Sequence, residues 1–179
     1  MMGALGAASF GASGGRPGIS LLNLTKSIML TPEQLAALKK VRDAAYERRT
    51  QYSNPLPSPS VNEPADQVDL FGYRFQVGEK PGENVYTMNP QDLREILRSV
   101  RAGKQYSDFM MVAIHTHQGQ TDFQRNHFSE YPPDFLVTLA HQAVDNGADA
   151  FLGSGVHVLR GIEIYKGKPI FYGLAEFFN

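Results

Sequence analysis

The sequence predicts an α/β fold: a mixed sheet closed by a terminal β-hairpin. Three observations carry that prediction. Helical patterns alternate with short apolar runs between residues 89 and 152. The run Phe109 to Ile114 is apolar throughout, as expected of a parallel central strand buried on both faces. Beyond it, Ile162 to Tyr165 and Ile170 to Leu174 flank a Lys166-Gly167-Lys168 turn, a hairpin signal that adds an antiparallel edge. At 179 residues a single domain is expected, spanning residues 1–179.

Each element has its own local reason. Met1 to Gly18 reads as a weak strand followed by the glycine loop Gly11 to Gly15. Its glycines match no phosphate-loop spacing, so a surface loop is expected, with ligand wrapping as the alternative. Ile19 to Leu24 suits a short extended segment. Thr31 then caps a helix, Pro32 takes its first position, and Leu35, Leu38, Val41 and Ala45 form its apolar face. That helix should end near Arg48 or Arg49. Gln51 to Val68 carries Pro55, Pro57, Pro59 and Pro64 and reads as an irregular insertion. Asp69 to Val77 alternates apolar and polar residues and suits an edge strand. Gly78 to Asn84 is a charged turn. Asn89 or Pro90 opens the next helix, with Leu93, Ile96, Leu97 and Val100 inside and Gly103 as its cap. Asp122 to Tyr131 resembles a lid over the strand ends. Pro132 and Pro133 start a helix with Leu136, Leu139, Ala140 and Val144 inside, stopping at Asn146-Gly147, and Ala150 to Leu152 is the next strand.

Composition removes several function classes. Net charge is -1 and the densest basic spot is Lys39-Lys40, so nucleic-acid binding has no electrostatic footprint. Cysteine is absent, which excludes disulfides, thiolate catalysis and thiolate metal sites. No stretch approaches the roughly 18 apolar residues of a membrane span. Met1 to Gly18 has no basic start before a long apolar run, so no signal peptide is expected.

The chemistry gathers at two strand ends. Met110 to Gly119 ends in His115-Thr116-His117-Gln118-Gly119, and Ala148 to His157 ends in Gly153-Ser154-Gly155-Val156-His157. Open α/β sheets place ligands at such strand ends, so His117 and His157 should approach each other. His117 reads equally as a site histidine or a structural one. His115 faces the same side if the strand is still extended there. His127 and His141 read as surface histidines. The nearby carboxylates are Asp122, Glu130, Glu163 and Glu176, and Glu176 follows the last hairpin strand. Ser154 is glycine-flanked, but no Gly-x-Ser-x-Gly elbow is present. A metal site needs three or four converging ligands, and the residues alone supply candidates without geometry.

The run Leu139 to Phe178 holds Asn146-Gly147-Ala148-Asp149, Gly153-Ser154-Gly155-Val156-His157 and Gly161-Ile162-Glu163-Ile164-Tyr165-Lys166-Gly167-Lys168-Pro169-Ile170. With these motifs it closely resembles the CapA family of bacterial capsule and poly-γ-glutamate synthesis proteins, related in fold to calcineurin-like metallophosphatases. The resemblance is specific over residues 108 to 178 and looser at Arg16-Pro17-Gly18-Ile19. His117-Gln118-Gly119 matches the family's His-Trp-Gly. Gly153 to His157 matches Gly-His-Gly-Pro-His or Gly-His-His-Pro-His, with Ser154 in place of a histidine and Val156 in place of the proline. Gly173-Leu174-Ala175-Glu176-Phe177 stands where the family has Ser-Leu-Gly-Asn-Phe.

The resemblance implies the C-terminal half of a metallophosphatase-like α/β sandwich. Family members carry, ahead of the equivalent of Met1, a half-sheet with an Asp, a Glu and an Asn-His plus Asp motif. Nothing in Met1 to Lys104 replaces these. The chain is therefore expected to be the C-terminal part of a longer CapA-like domain, the alternative being a reduced member. The missing N-terminal half or a homodimer would cover its apolar face. The implied activity is metal-dependent hydrolysis of an anionic polymer such as poly-γ-glutamate, using Mn, Zn or Fe at a site incomplete in this chain. His117 would be a metal ligand and His157 a ligand or general acid, with His115, Ser154 and Glu176 lining the cleft. The rival expectation is a non-catalytic polymer-handling or assembly component that has lost metal ligands, and a third is a generic binding domain. The implied location is extracytoplasmic or at the cell envelope.

Overall fold

The computed structural model describes residues 7–8, 16–17, 19–50, 63–70, 72–119 and 130–175. In chain order the elements are β1 (Ala7–Ala8), β2 (Arg16–Pro17), β3 (Leu24–Leu30), α1 (Pro32–Thr50), β4 (Gln67–Leu70), β5 (Tyr73–Val77) and β6 (Asn84–Met88). They continue with α2 (Pro90–Gln105), β7 (Met111–His115), α3 (Asp134–Asp145), β8 (Ala150–Ser154), β9 (Ile162–Tyr165) and β10 (Lys168–Phe171). Mixed sheets with helices make this an α/β protein, as the sequence predicts. The chain divides into two compact units: residues 26–85, and residues 1–25 together with 86–179.

In the unit of residues 26–85, α1 lies against β4 and β5, in a sheet ordered β4-β5-β3-β6. The start of α1 follows from its sequence. Gln34 N–H donates to Thr31 Oγ1 (3.2 Å) and Thr31 N–H donates to Gln34 Oε1 (2.9 Å), which closes a capping box. Its expected apolar face holds only for the first turns. Leu35 is buried, but Val41 is 57% exposed and Ala45 is exposed as well. Farther along, Arg42 Nη1 donates to Glu63 Oε2 at 2.7 Å and Lys39 Nζ to Ala65 O at 2.9 Å.

The region after α1 departs from the sequence reading in three places. Residues 51–62 of the proline-rich insertion lie outside the described residues, and its last two positions, Gln67 and Val68, belong to β4. Val68 is wholly buried. The single edge strand expected over Asp69 to Val77 is two strands, because the chain reverses at Gly72 with φ +80° and pairs β4 antiparallel to β5. Two strands, β3 and β6, were not expected at all.

In the larger unit, α3 packs against β8, α2 packs beside α3, and the sheet order is β7-β8-β10-β9. Asn89 starts α2 as expected, its Oδ1 accepting from Gln91 N–H (2.8 Å) and Asp92 N–H (3.2 Å). Gly103 falls inside that helix, and Tyr106 is its cap. The core lies between α3 and one sheet face, where Leu136, Leu139, Ala140 and Ala143 meet Phe151, Ile170 and Tyr172. The terminal hairpin forms as expected. Lys166 (φ 50°) and Gly167 (φ 77°) make the two-residue turn, and β9 is the antiparallel edge.

Among the described residues, the strand expected at the centre is instead an edge. There β7 pairs with β8 alone, through Met111↔Ala150 to His115↔Ser154. Its apolar character therefore serves two different faces. Val112 and Ile114 pack on the core, whereas Met111 is 47% exposed. On the other edge strand Ile162 and Ile164 are 66% and 67% exposed, and their paired positions on β10 are Phe171 and Pro169. One face of this sheet is thus apolar and open.

The start of β7 and β8 is fixed by a charged knot. Asp149 accepts from Lys104 Nζ (2.7 Å), Lys168 Nζ (2.6 Å) and Met110 N–H (2.9 Å). Lys104, Lys168 and the Met110 N–H hold its carboxyl well below the usual carboxylate range. Among the described residues no helix is long and apolar enough to cross a membrane.

Candidate functional site

β7 and β8 run parallel and in register, so their C-terminal ends open at the same edge of the sheet. The two loops that follow are pressed together backbone to backbone. Thr116 N–H donates to Ser154 O at 2.8 Å, and Thr116 is buried. Gly155 makes that approach possible. Its φ is +99°, and a Cβ there would sit 2.8 Å from Thr116 O and 2.9 Å from Thr116 N.

This closeness gathers three histidines, as expected for His117 and His157. His115 Nε2 and His117 Nε2 are 3.2 Å apart, and the His117 and His157 ring centroids are 5.6 Å apart. Ser154 joins the group. Its hydroxyl donates to Ile114 O (3.1 Å) and its oxygen lies 3.4 Å from His115 Nδ1. One hydroxyl proton cannot serve both partners, so His115 Nδ1–H donates to Ser154 Oγ. A neutral His115 then bears its lone pair on Nε2 and accepts from His117 Nε2–H.

Other sequence candidates lie elsewhere. Glu163 is not at this cleft: its register with Ile170 places it on the core face of the sheet. There it accepts from Tyr172 OH, and His141 Nε2 lies 2.9 Å from its Oε1. The Tyr172 hydroxyl, with His141, lowers the Glu163 pKa, while burial and then Glu163 raise that of Tyr172. His141 also stacks on Tyr165 with centroids 3.9 Å apart, so it is the satisfied surface histidine its helix position suggested. Glu176, Asp122 and His127 lie outside the described residues. Among the described residues no three His, Cys, Asp or Glu side chains are grouped to hold a metal ion.

One participant escaped the sequence reading. Arg160, in the loop between β8 and β9, is buried, and its Nη2 donates to Gln118 O at 2.7 Å. No local signal marks it, because an arginine between Leu159 and Gly161 reads as a surface residue.

Comparison with known proteins gives this constellation a context. The family described as bacterial capsule synthesis protein PGA_cap matches residues 16–179. The chain belongs to this family. The uncharacterized protein y4sH of Sinorhizobium fredii (strain NBRC 101917 / NGR234) is 41% identical over 168 residues, covering 94% of this chain and 33% of that protein. The PGA biosynthesis protein CapA of Bacillus subtilis (strain 168) is 33% identical over 88 residues, 49% of this chain and 21% of that protein. The capsule biosynthesis protein CapA of Bacillus anthracis is 33% identical over 100 residues, 55% of this chain and 22% of that protein. The chain thus spans about a third of the length of y4sH.

At the exit of the last strand, Ala175 adopts φ 57°. A side chain in that left-handed region costs about 1 kcal/mol. Ala175→Gly should therefore raise stability by about 0.5–1 kcal/mol, read as a small upward shift in Tm on thermal unfolding.

Proposed function

We propose that this chain is a polymer-handling component of capsule-type synthesis, acting on an anionic polyamide of the poly-γ-glutamate kind without hydrolysing it. The observation that supports this most is the composition of the cleft: three imidazoles and a serine hydroxyl beside a loop held by a buried arginine. Imidazole N–H and hydroxyl groups are donors suited to carboxylate and amide oxygens. The family membership supplies the polymer, since relatives carry names for PGA and capsule biosynthesis. The open apolar sheet face beside His115 fits a cleft whose second wall comes from the remainder of a longer protein or from a second copy.

A second reading, a metal-dependent hydrolase of metallophosphatase-like fold, is favoured by one distance. The facing Nε2 atoms of His115 and His117, 3.2 Å apart, are spaced much like two imidazole nitrogens sharing one tetrahedral ion at about 2.0–2.1 Å. The Ser154 contact to His115 Nδ1 is the kind of outer contact that orients a ligating histidine. The fit stops there. The third and fourth donors of a hydrolytic centre are not among the described residues, and no reaction step follows from two imidazoles.

One experiment separates the two readings. The protein is titrated with defined oligo-γ-glutamate by NMR or calorimetry, and its metal content is measured after exposure to Mn, Zn or Fe. The polymer-handling reading expects binding that shifts the His117 and His157 resonances, weakens with salt, and leaves the oligomer intact with no stoichiometric metal. Stoichiometric metal together with shortening of the oligomer would overturn it in favour of the hydrolase. Binding to neither would overturn both.

A further inference from the structure

Among the buried polar residues described, which are Ser27, Asn84, Thr116 and Arg160, the arginine alone carries a charge, and it is 4% exposed. Burying a guanidinium opposes folding unless its hydrogen bonds organise something in return. Burial pushes its pKa down to about 10, so the group is still charged at neutral pH. Its contacts lead to the histidine cleft. The Arg160 backbone N–H donates to Gly173 O (3.0 Å), which seats the residue at the exit of the last strand. Gly173 leaves room for the arginine stem: a Cβ there would meet Arg160 Cγ at 3.1 Å and Val156 Cγ2 at 2.7 Å. From that seat Nη2 reaches Gln118 O at 2.7 Å, the carbonyl of the Gln118–Gly119 peptide, one residue beyond His117. A charge-assisted bond to a carbonyl is roughly twice as strong as a neutral one, and it directs the whole peptide plane.

We propose that Arg160 is a positioning residue that fixes the His117–Gln118 segment and so sets the His117 ring between His115 and His157. It acts through the peptide it holds, which leaves His117 Nε2 aimed at His115 Nε2 and its ring beside His157. The inference rests on loop geometry alone and is independent of the polymer reading, so the two can fail separately.

The test is solution NMR of the 179-residue chain with ¹⁵N-labelled histidine and arginine side chains. In the unmodified protein, Arg160 should show a distinct, slowly exchanging Nη–H signal with a nuclear Overhauser contact to Gln118 or Gly119. His115 should be the Nδ1–H tautomer. In Arg160→Met, the His115 and His117 nitrogen shifts should collapse toward those of averaged, free imidazoles. Exchange of the Gly119 amide should speed up roughly tenfold or more, while resonances of α3 and β10 stay in place. Arg160→Lys, which keeps the charge and can still reach a carbonyl, should restore the histidine pattern in part. A merely structural role would change melting temperature without this selective histidine signature. Unchanged histidine shifts in Arg160→Met would overturn the proposal. Should that variant fail to fold, the unmodified protein decides: absence of the slow Nη–H signal overturns it and presence upholds it.

Discussion

Asp149→Ala should destabilise the larger unit by about 3 kcal/mol, read from the midpoint of urea unfolding by circular dichroism. The carboxylate side chain is 12% exposed and accepts three donors, two of them ammonium groups. Bonds to charged groups contribute about 1.5–3 kcal/mol each, but they share one acceptor and are not additive. Its removal also leaves Lys104 and Lys168 facing one another without a counterion. Asp149→Asn keeps the volume and one acceptor, so it should lie between the two. The same knot gives a pH dependence with a definite sign. Its carboxyl is depressed in the folded protein, so its contribution is complete above the unfolded carboxylate pKa near about 4. That contribution is lost as pH falls through and below that value. The unmodified protein should therefore lose stability steadily below about pH 5, and Asp149→Asn should show a shallower slope there.

Phe151→Ala should be the most damaging single change in the core, at about 3–5 kcal/mol and a loss of about 10 °C in Tm. Phe151 is 0% exposed and sits on the inner β8, with Val112 on one side and Ile170 on the other. All three lie on the core face of the sheet, so neither neighbouring strand can shift to fill the cavity without losing its own register. Phe151→Leu keeps most of the volume and should cost about 1.5 kcal/mol or less. Met111→Ala is the informative control. Met111 lies one strand away on the open face, and its loss should be within about 0.5 kcal/mol of neutral. A cost for Met111 equal to that of Phe151 would show that the open face is packed against something in solution.

Several parts of this architecture were legible because their causes are local. The Thr31-Pro32 start of α1, the Asn89 cap of α2 and the Lys166-Gly167 turn each depend on residues within four positions of one another. Strand placement depends on partners far along the chain, and there the reading failed. β3 carries Ser27 buried beside Met29, so its pattern shows neither alternation nor a pure apolar run. β6 alternates over five residues, too short a stretch to separate from the charged turn before it. Phe109 to Ile114 looked central because it is apolar on both sides, yet sequence cannot say whether the second side has a neighbour. At the site, the approach of His117 and His157 follows from parallel strands ending together. The Arg160 contact spans 42 residues and two loops, so no local pattern could announce it.

The positions of Asp149 and the histidines along the same two strands bear on how this protein can change. The knot holds the start of β7 and β8, and the imidazoles stand at their finish, about 16 Å away at roughly 3.3 Å per residue. Substitutions that far apart, without shared partners, act additively to within a few tenths of a kcal/mol. The histidine end is therefore free to drift, gaining or losing polar side chains, without eroding the fold. A sheet anchored at one end and variable at the other is a scaffold on which old chemistry can fade and new specificity can be tried.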